Sequence, residues 1–472
     1  MVRPSPAATP ETGPAWRPIA PTSPDGRGHR PFSWGFPEWF AVAQVAGPAL
    51  LFLPGSQPFR VLLRVGTFGI SLLGLAMWMR RPRVTRRHPA CLLLVLGAGY
   101  MMLMLLHPGT NTLMAGLAQI GMHLAVAAPL LWAPPYFLGD PRRLARVLTI
   151  LWIFNGASAV VGILQARDPG TWMPSEFSSV VTQGRFGVSA LAYRGSDGQM
   201  VVRPPGLGDS PGAACSAGMF VASIGLAYLG LPVSNLRRLL GLTMGMAGVT
   251  VIFLTHVRTS LVIVVGSAVV YLVILVMQRR AATALVLAGS MAACGVGVLP
   301  YAASLGGKST VDRFASLLED DPLTVYDRSE RLGMVTNTFD TLIVDHPFGA
   351  GLGRYGMMRV YFGDENNDNS PRIWAEVQLP AWVLDGGVVL LSLYLIAIVV
   401  AVKRLFQLSL AHRSYVVRQW AAVIIMLSAG PIALLFSYAP FCAQIGMQFW
   451  LLIGALEGIA QGEPPGGRAA RQ

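Results

Sequence analysis

Residues 260–277 read SLVIVVGSAVVYLVILVM, with no charged side chain among them. As a helix, such a run is long enough to cross about 30 Å of hydrocarbon. Polar signals bracket it, His256-Val257-Arg258-Thr259 before and Gln278-Arg279-Arg280 after. Similar runs recur along the chain. Of its 472 residues, 53% are hydrophobic and 12% charged; soluble globular proteins carry about 25% charged residues. The sequence therefore predicts an all-α polytopic membrane protein of about twelve transmembrane helices, over residues 37–55, 60–79, 89–106, 113–133, 147–165, 212–231, 239–255, 260–277, 283–302, 381–402, 419–438 and 441–460.

The formal net charge of +13 does not point to nucleic acid here, because cytoplasmic loops of membrane proteins collect Lys and Arg. Arg80-Arg81-Pro82-Arg83 with Arg86-Arg87, Arg142-Arg143 with Arg146, Arg237-Arg238, Arg279-Arg280, and Lys403-Arg404 with Arg413 and Arg418 all fall on one side if both termini are cytoplasmic. Residues 1–35, rich in Pro, Gly, Ser and Arg and without the apolar core of a signal peptide, are expected to be a disordered cytoplasmic tail. Residues 36–460 would form one membrane domain and residues 461–472 a second cytoplasmic tail. Two long loops, residues 166–211 and 304–377, then lie outside the cytoplasm. Cys91, Cys215, Cys294 and Cys442 fall in or beside spans at no metal-ligand spacing and read as small buried hydrophobes.

Several motifs fail on context. Gly351-Leu352-Gly353-Arg354-Tyr355-Gly356 fits G-x-G-x-x-G but lacks the flanking strand and helix of a dinucleotide site, so its glycines are expected to allow tight turns and close backbone approach. Gly306-Gly307-Lys308-Ser309-Thr310 resembles the end of a phosphate-binding loop, but its first glycine would be Ala302. Residues 364–369, DENNDN, resemble the opening of a calcium loop, with Asn369 in place of the glycine and Ala375 in place of the closing glutamate; a solvated acidic turn is the simpler reading. No H-E-x-x-H or C-x-x-C pattern occurs.

What remains is a set of groups on the long-loop face: Arg203, Arg258, Arg328, Arg331, Arg354 and Arg372, with Glu376 and Asp385. Converging guanidiniums suit a phosphate or pyrophosphate, because the planar fork binds oxyanions bidentately. Arg258 at the bilayer boundary either snorkels or meets an anion. Asp385, a few residues into an apolar run, is either a functional carboxylate or the ion-pair partner of a nearby arginine.

The order of elements, Arg203-Pro204-Pro205-Gly206 with Ser210-Pro211-Gly212, then Arg258-Thr259-Ser260, then Arg331 and His346-Pro347-Phe348-Gly349-Ala350-Gly351-Leu352-Gly353, resembles the O-antigen ligase and Wzy-type polymerase superfamily over about residues 200–400. The resemblance implies an inverting, metal-independent glycosyltransferase without cofactor. It would sit in the bacterial plasma membrane and act at the outer face. Its donor would be a glycan on a polyprenyl (undecaprenyl) pyrophosphate, and its acceptor a hydroxyl of another glycan or lipid. Arg258, Arg331 and Arg203 would hold the pyrophosphate. Where the family often has a His-Asn pair before an acidic-x-Gly element, this chain has Glu376-Val377 before Asp385-Gly386-Gly387, so Glu376 becomes the candidate base. Asp385, Arg328, Arg354, Arg372 and Tyr355 would support, and Tyr193, Tyr355, Tyr361 and Trp374 would offer sugar-stacking surface. The missing histidine tilts the reading toward a polymerase or exopolysaccharide-type enzyme and away from a ligase. The alternative from another class is a multi-pass transporter or flippase for a lipid-linked or anionic substrate.

Overall fold

Each of the apolar segments folds as a helix. The computed structural model describes the chain outside residues 1–33, 52, 54, 81–84, 174–191, 195–197, 199, 209–211, 320–330 and 463–472. The chain divides into units Met1–Gly35 and Phe36–Gln472, and all contacts below lie within the second. Its principal helices are α1 (Phe36–Leu50), α2 (Arg60–Met79), α3 (Ala90–Met104), α4 (Leu113–Ala127), α5 (Pro141–Arg167), α6 (Ala214–Gly230), α7 (Asn235–Leu254), α8 (Arg258–Met277), α9 (Ala281–Glu319), α10 (Arg331–Asn337), α11 (Gly356–Phe362), α12 (Gln378–Ala411), α13 (Tyr415–Leu434) and α14 (Gln444–Gly462). A two-stranded antiparallel ribbon, β1 (Ala192–Arg194) and β2 (Met200–Val202), pairs Ala192 with Val202 and Arg194 with Met200.

Among the described residues, eight helices are long and apolar enough to cross a membrane: α2, α4 with its continuation to Tyr136, α5, α7, α8, α9, α12 and α13. The other four expected spans are helical but fall short of that standard. Helices α1, α3 and α6 have 15, 15 and 17 residues, and α14 carries Gln444, Gln448, Glu457 and Gln461 within 19.

Local signals explain several helix starts. The Thr112 side chain accepts from Ala115 N at the head of α4, and Asp140 accepts from Arg142 N and Arg143 N ahead of Pro141 at the head of α5, each satisfying otherwise orphaned backbone donors. Helices α6 and α7 meet through small residues: a Cβ on Gly218 would overlap the Gly248 carbonyl, the close approach that stands in for hydrophobic drive within a bilayer.

The second long loop begins later than the sequence suggests, because α9 stays helical to Glu319 and bends at Gly307 (φ 68°, ψ −166°). The Gly306–Thr310 motif is therefore a helix kink, with Thr310 Oγ1 donating to Gly306 O at 3.0 Å. Helix α12 is also broken, at Gly386 and Gly387, and the H-P-F-G-A-G-L-G segment fills the break. Ala350 N donates to Leu384 O (2.7 Å), and Val388 N donates to Pro347 O (2.9 Å). Gly351 has φ 101°, and a Cβ there would overlap Gly109. The expected close backbone approach is what these glycines serve. The acidic stretch is a turn pinned to Asn111, which accepts from Asp364 N (2.6 Å) and donates to Asp364 O (2.9 Å).

Candidate functional site

A cavity of about 590 Å³ opens on the face that carries both long loops. Its walls come from the loop-side halves of α1, α2, α6, α8, α13 and α14 and the middle of α5, together with Arg203, Leu207 and Gly208 of the first loop and Arg331 and Met357 of the second. Most of the wall is apolar, with Phe, Leu, Ile, Val and Met side chains, and Ser158, Ser216 and Ser260 add hydroxyls. Three guanidiniums line it, those of Arg64, Arg203 and Arg331, all half-buried. Among the described lining residues there is no Asp, Glu, Lys or His. A site with three guanidiniums, no carboxylate among its described wall residues and greasy walls is matched to an anion that carries apolar bulk.

Two of the expected arginines thus converge. Arg331 opens α10 and has no carboxylate within ion-pair distance among the described residues; Arg203 follows β2. Arg258 is half-buried and lies between two wall residues, Val257 and Thr259, without lining the cavity itself. His256 holds that turn at φ 57°, and its Nε2 is 3.3 Å from Thr310 Oγ1 at the α9 kink. Burial, then Arg313 and Arg203, push the His256 imidazole down to about 4, so at neutral pH it adds no charge to the rim.

The remaining candidates lie elsewhere. Arg354 is engaged with backbone carbonyls, Nη1 donating to Ala350 O (2.8 Å) and Nη2 to Pro371 O (3.1 Å). Arg372 is exposed, its guanidinium carbon 5.9 Å from the Trp374 ring centre. Arg328 and the side chain of Tyr193 fall outside the described residues. Glu376 is exposed and does not line the cavity. Two residues on, however, Gln378 N donates to Tyr438 O at 3.0 Å, and Tyr438 is a wall residue.

Tyr355 and Asp385 form a separate, fully buried cluster. Asp385 Oδ2 accepts from Tyr355 OH (2.6 Å) and Gln119 Nε2 (3.0 Å) and lies 3.0 Å from His123 Nε2; His123 Nδ1 is 3.1 Å from Tyr394 OH. Among the described residues the basic partner of Asp385 is thus His123, and no described arginine pairs with it. Burial first, and then the Asp385 charge, raise the Tyr355 phenol well above its usual value, so it stays protonated and donates. At 7% exposure Tyr355 offers no sugar-stacking face, a correction to the sequence reading. This cluster ties α4, the glycine-rich segment and α12 together just before the α12 break.

Among the described residues, no group of three or more His, Cys, Asp or Glu is placed to hold a metal ion. Neither models of protein families nor curated proteins match the chain.

Proposed function

We propose that this protein is a membrane glycosyltransferase that takes a glycan from a polyprenyl diphosphate and transfers it to an acceptor hydroxyl. The observation that carries the proposal is the cavity itself: three guanidiniums, no carboxylate among its described wall residues, and apolar walls. The order of motifs that resembles the O-antigen ligase and polymerase superfamily supports it, since Arg203 and Arg331, distant in sequence, share that cavity. Helix α8 brings the Arg258 turn alongside them.

The chemistry follows from charge. The acceptor oxygen attacks the anomeric carbon, the bond from that carbon to the diphosphate oxygen breaks, and the electron pair leaves with the diphosphate. Arg203 and Arg331 stabilise the negative charge that grows on the leaving group, which is where preorganised electrostatics lowers a barrier most. No described cavity residue is a carboxylate. Glu376, two residues before Gln378, whose N–H donates to the wall residue Tyr438, takes the acceptor proton, as a carboxylate activates water in inverting glycoside hydrolysis. Exposed Trp374 and Phe348 offer aromatic surface to the incoming sugar.

The test uses membranes that contain Arg203→Ala, Arg331→Ala or Glu376→Gln protein at wild-type abundance. The arginine variants lose glycan transfer, and Glu376→Gln lowers turnover without lowering donor binding. Wild-type transfer by both arginine variants would sink the proposal, and full turnover by Glu376→Gln would reduce Glu376 to a binding residue. The broken α12 is a feature that transporters share, but here Pro347 and Ala350 fill the break and neither Gly386 nor Gly387 lines the cavity.

A further inference from the structure

Arg64 is the cavity guanidinium that the transfer chemistry leaves without a role. It lies in the second turn of α2, a mostly apolar helix whose other charged residue is Arg60 at its first position, and an arginine within an apolar span is by default a candidate functional residue facing a bundle interior or an aqueous cavity. Its Nη1 donates to Tyr361 OH at 2.9 Å. Tyr361 belongs to α11, one turn beyond Met357, which is itself a wall residue. A seven-residue helix has little stability of its own, and α11 is tied down on three sides. At its head, Tyr355 OH donates to Asp385 (2.6 Å). At its end, Phe362 O accepts from Thr112 Oγ1 (2.9 Å). Between them, Arg359 donates to Ser370 O (2.6 Å) and Glu365 O (3.0 Å). The phenol oxygen is therefore a fixed acceptor that sets the direction of the Arg64 fork.

We propose that Arg64, oriented by Tyr361, is a third anion-binding group of this cavity and makes it select a headgroup with two negative charges, a diphosphate, over singly charged bilayer phospholipid. The inference rests on reading the cavity as a lipid-diphosphate site. The physical need is plain. A bilayer supplies singly charged phosphodiester lipids in large excess, with the same oxyanion chemistry and the same apolar tails as the substrate. Two guanidiniums attract such a lipid well. A third attracts each ligand in proportion to its charge, so its contribution for a dianion is about twice that for a monoanion. Arg64 thus widens the gap between substrate and surrounding lipid. Between the mostly apolar walls of the cavity that gap is screened less by salt than at an open surface. Tyr361 is a positioning residue; it acts only through Arg64.

The experiment places the full chain in phosphatidylcholine nanodiscs and measures binding of a polyprenyl diphosphate, alone and against phosphatidylglycerol as competitor. The wild type holds the diphosphate against excess phosphatidylglycerol. Arg64→Gln narrows the ratio of the two affinities by about tenfold or more, with Arg64→Lys intermediate. Tyr361→Phe moves the ratio the same way by about threefold, and in an Arg64→Gln background it has no further effect. An unchanged ratio in Arg64→Gln and in Tyr361→Phe, with diphosphate binding lost in Arg331→Ala, overturns the role of Arg64 and leaves the cavity reading intact. Diphosphate binding that survives loss of both Arg203 and Arg331 overturns the cavity reading, and this inference with it.

Discussion

Arg331→Ala removes one of three guanidiniums from a cavity whose described wall holds no carboxylate, while Arg372→Ala removes a guanidinium that lies exposed against Trp374. Both delete one positive charge from the same face of the protein, so net charge and long-range attraction change alike. Their local settings differ. A hydrogen bond to a charged partner in a partly desolvated site is worth about 1.5–3 kcal/mol, whereas exposed pairs contribute about 0–1 kcal/mol and are screened by salt. Loss of Arg331 is therefore expected to weaken diphosphate binding by roughly ten- to a hundredfold, and loss of Arg372 by about fivefold at most. The assay is direct binding of a polyprenyl diphosphate to purified protein at low and high salt. The Arg331 effect persists at high salt and the Arg372 effect shrinks. Equal losses in the two variants, or loss in Arg372→Ala alone, would refute the claim that the cavity is the anion site.

Gly351→Ala must adopt φ near 101° and overlap Gly109, so it is expected to lower stability by more than about 2 kcal/mol. Gly333→Ala sits in α10 with nothing near its Cβ and is expected to be neutral or slightly stabilising; melting temperatures in detergent separate the two. Tyr355→Phe leaves Asp385 without its shortest hydrogen bond and should cost about 1–3 kcal/mol in the same measurement, without abolishing diphosphate binding. His256 titrates near 4 in the folded protein against an ordinary 6.5. The unfolded chain therefore takes up the proton first, and stability, complete above about pH 6.5, falls as pH drops toward 4, by about 2 kcal/mol at pH 5. His256→Asn, which tolerates the positive φ, should remove that dependence, and a pH series of melting temperatures for the two proteins checks it.

The apolar runs made the helices legible because each is long and nearly uncharged, and a run such as residues 260–277 leaves no other option. Length was harder to read. Helix α9 continues to Glu319 through residues polar enough to suggest a loop, because kinking at Gly307 lets the chain turn without ending the helix. The cavity was half legible. Arg203 and Arg331 stood out as cations in loops on one face. Arg64 did not, because an arginine near the start of an apolar run reads as a boundary residue, although its place inside α2 was the available signal. His123 and Gln119, four residues apart in α4, also carried a signal: two polar side chains on one face of an apolar helix. Their partner Asp385 lies 262 residues from His123 in sequence, and nothing local announces that pairing. The exposed position of Glu376 was likewise not written in its neighbours, since Val377 beside it is fully buried.

The most direct test of the central claim is turnover by the purified protein in liposomes that contain a polyprenyl diphosphate-linked glycan and an acceptor glycan. Separated products should show elongated or transferred glycan together with an equal amount of free polyprenyl diphosphate, and the Arg203→Ala, Arg331→Ala double variant should yield neither. Intact lipid-linked glycan that merely changes leaflet, or transfer that continues in the double variant, would contradict the account.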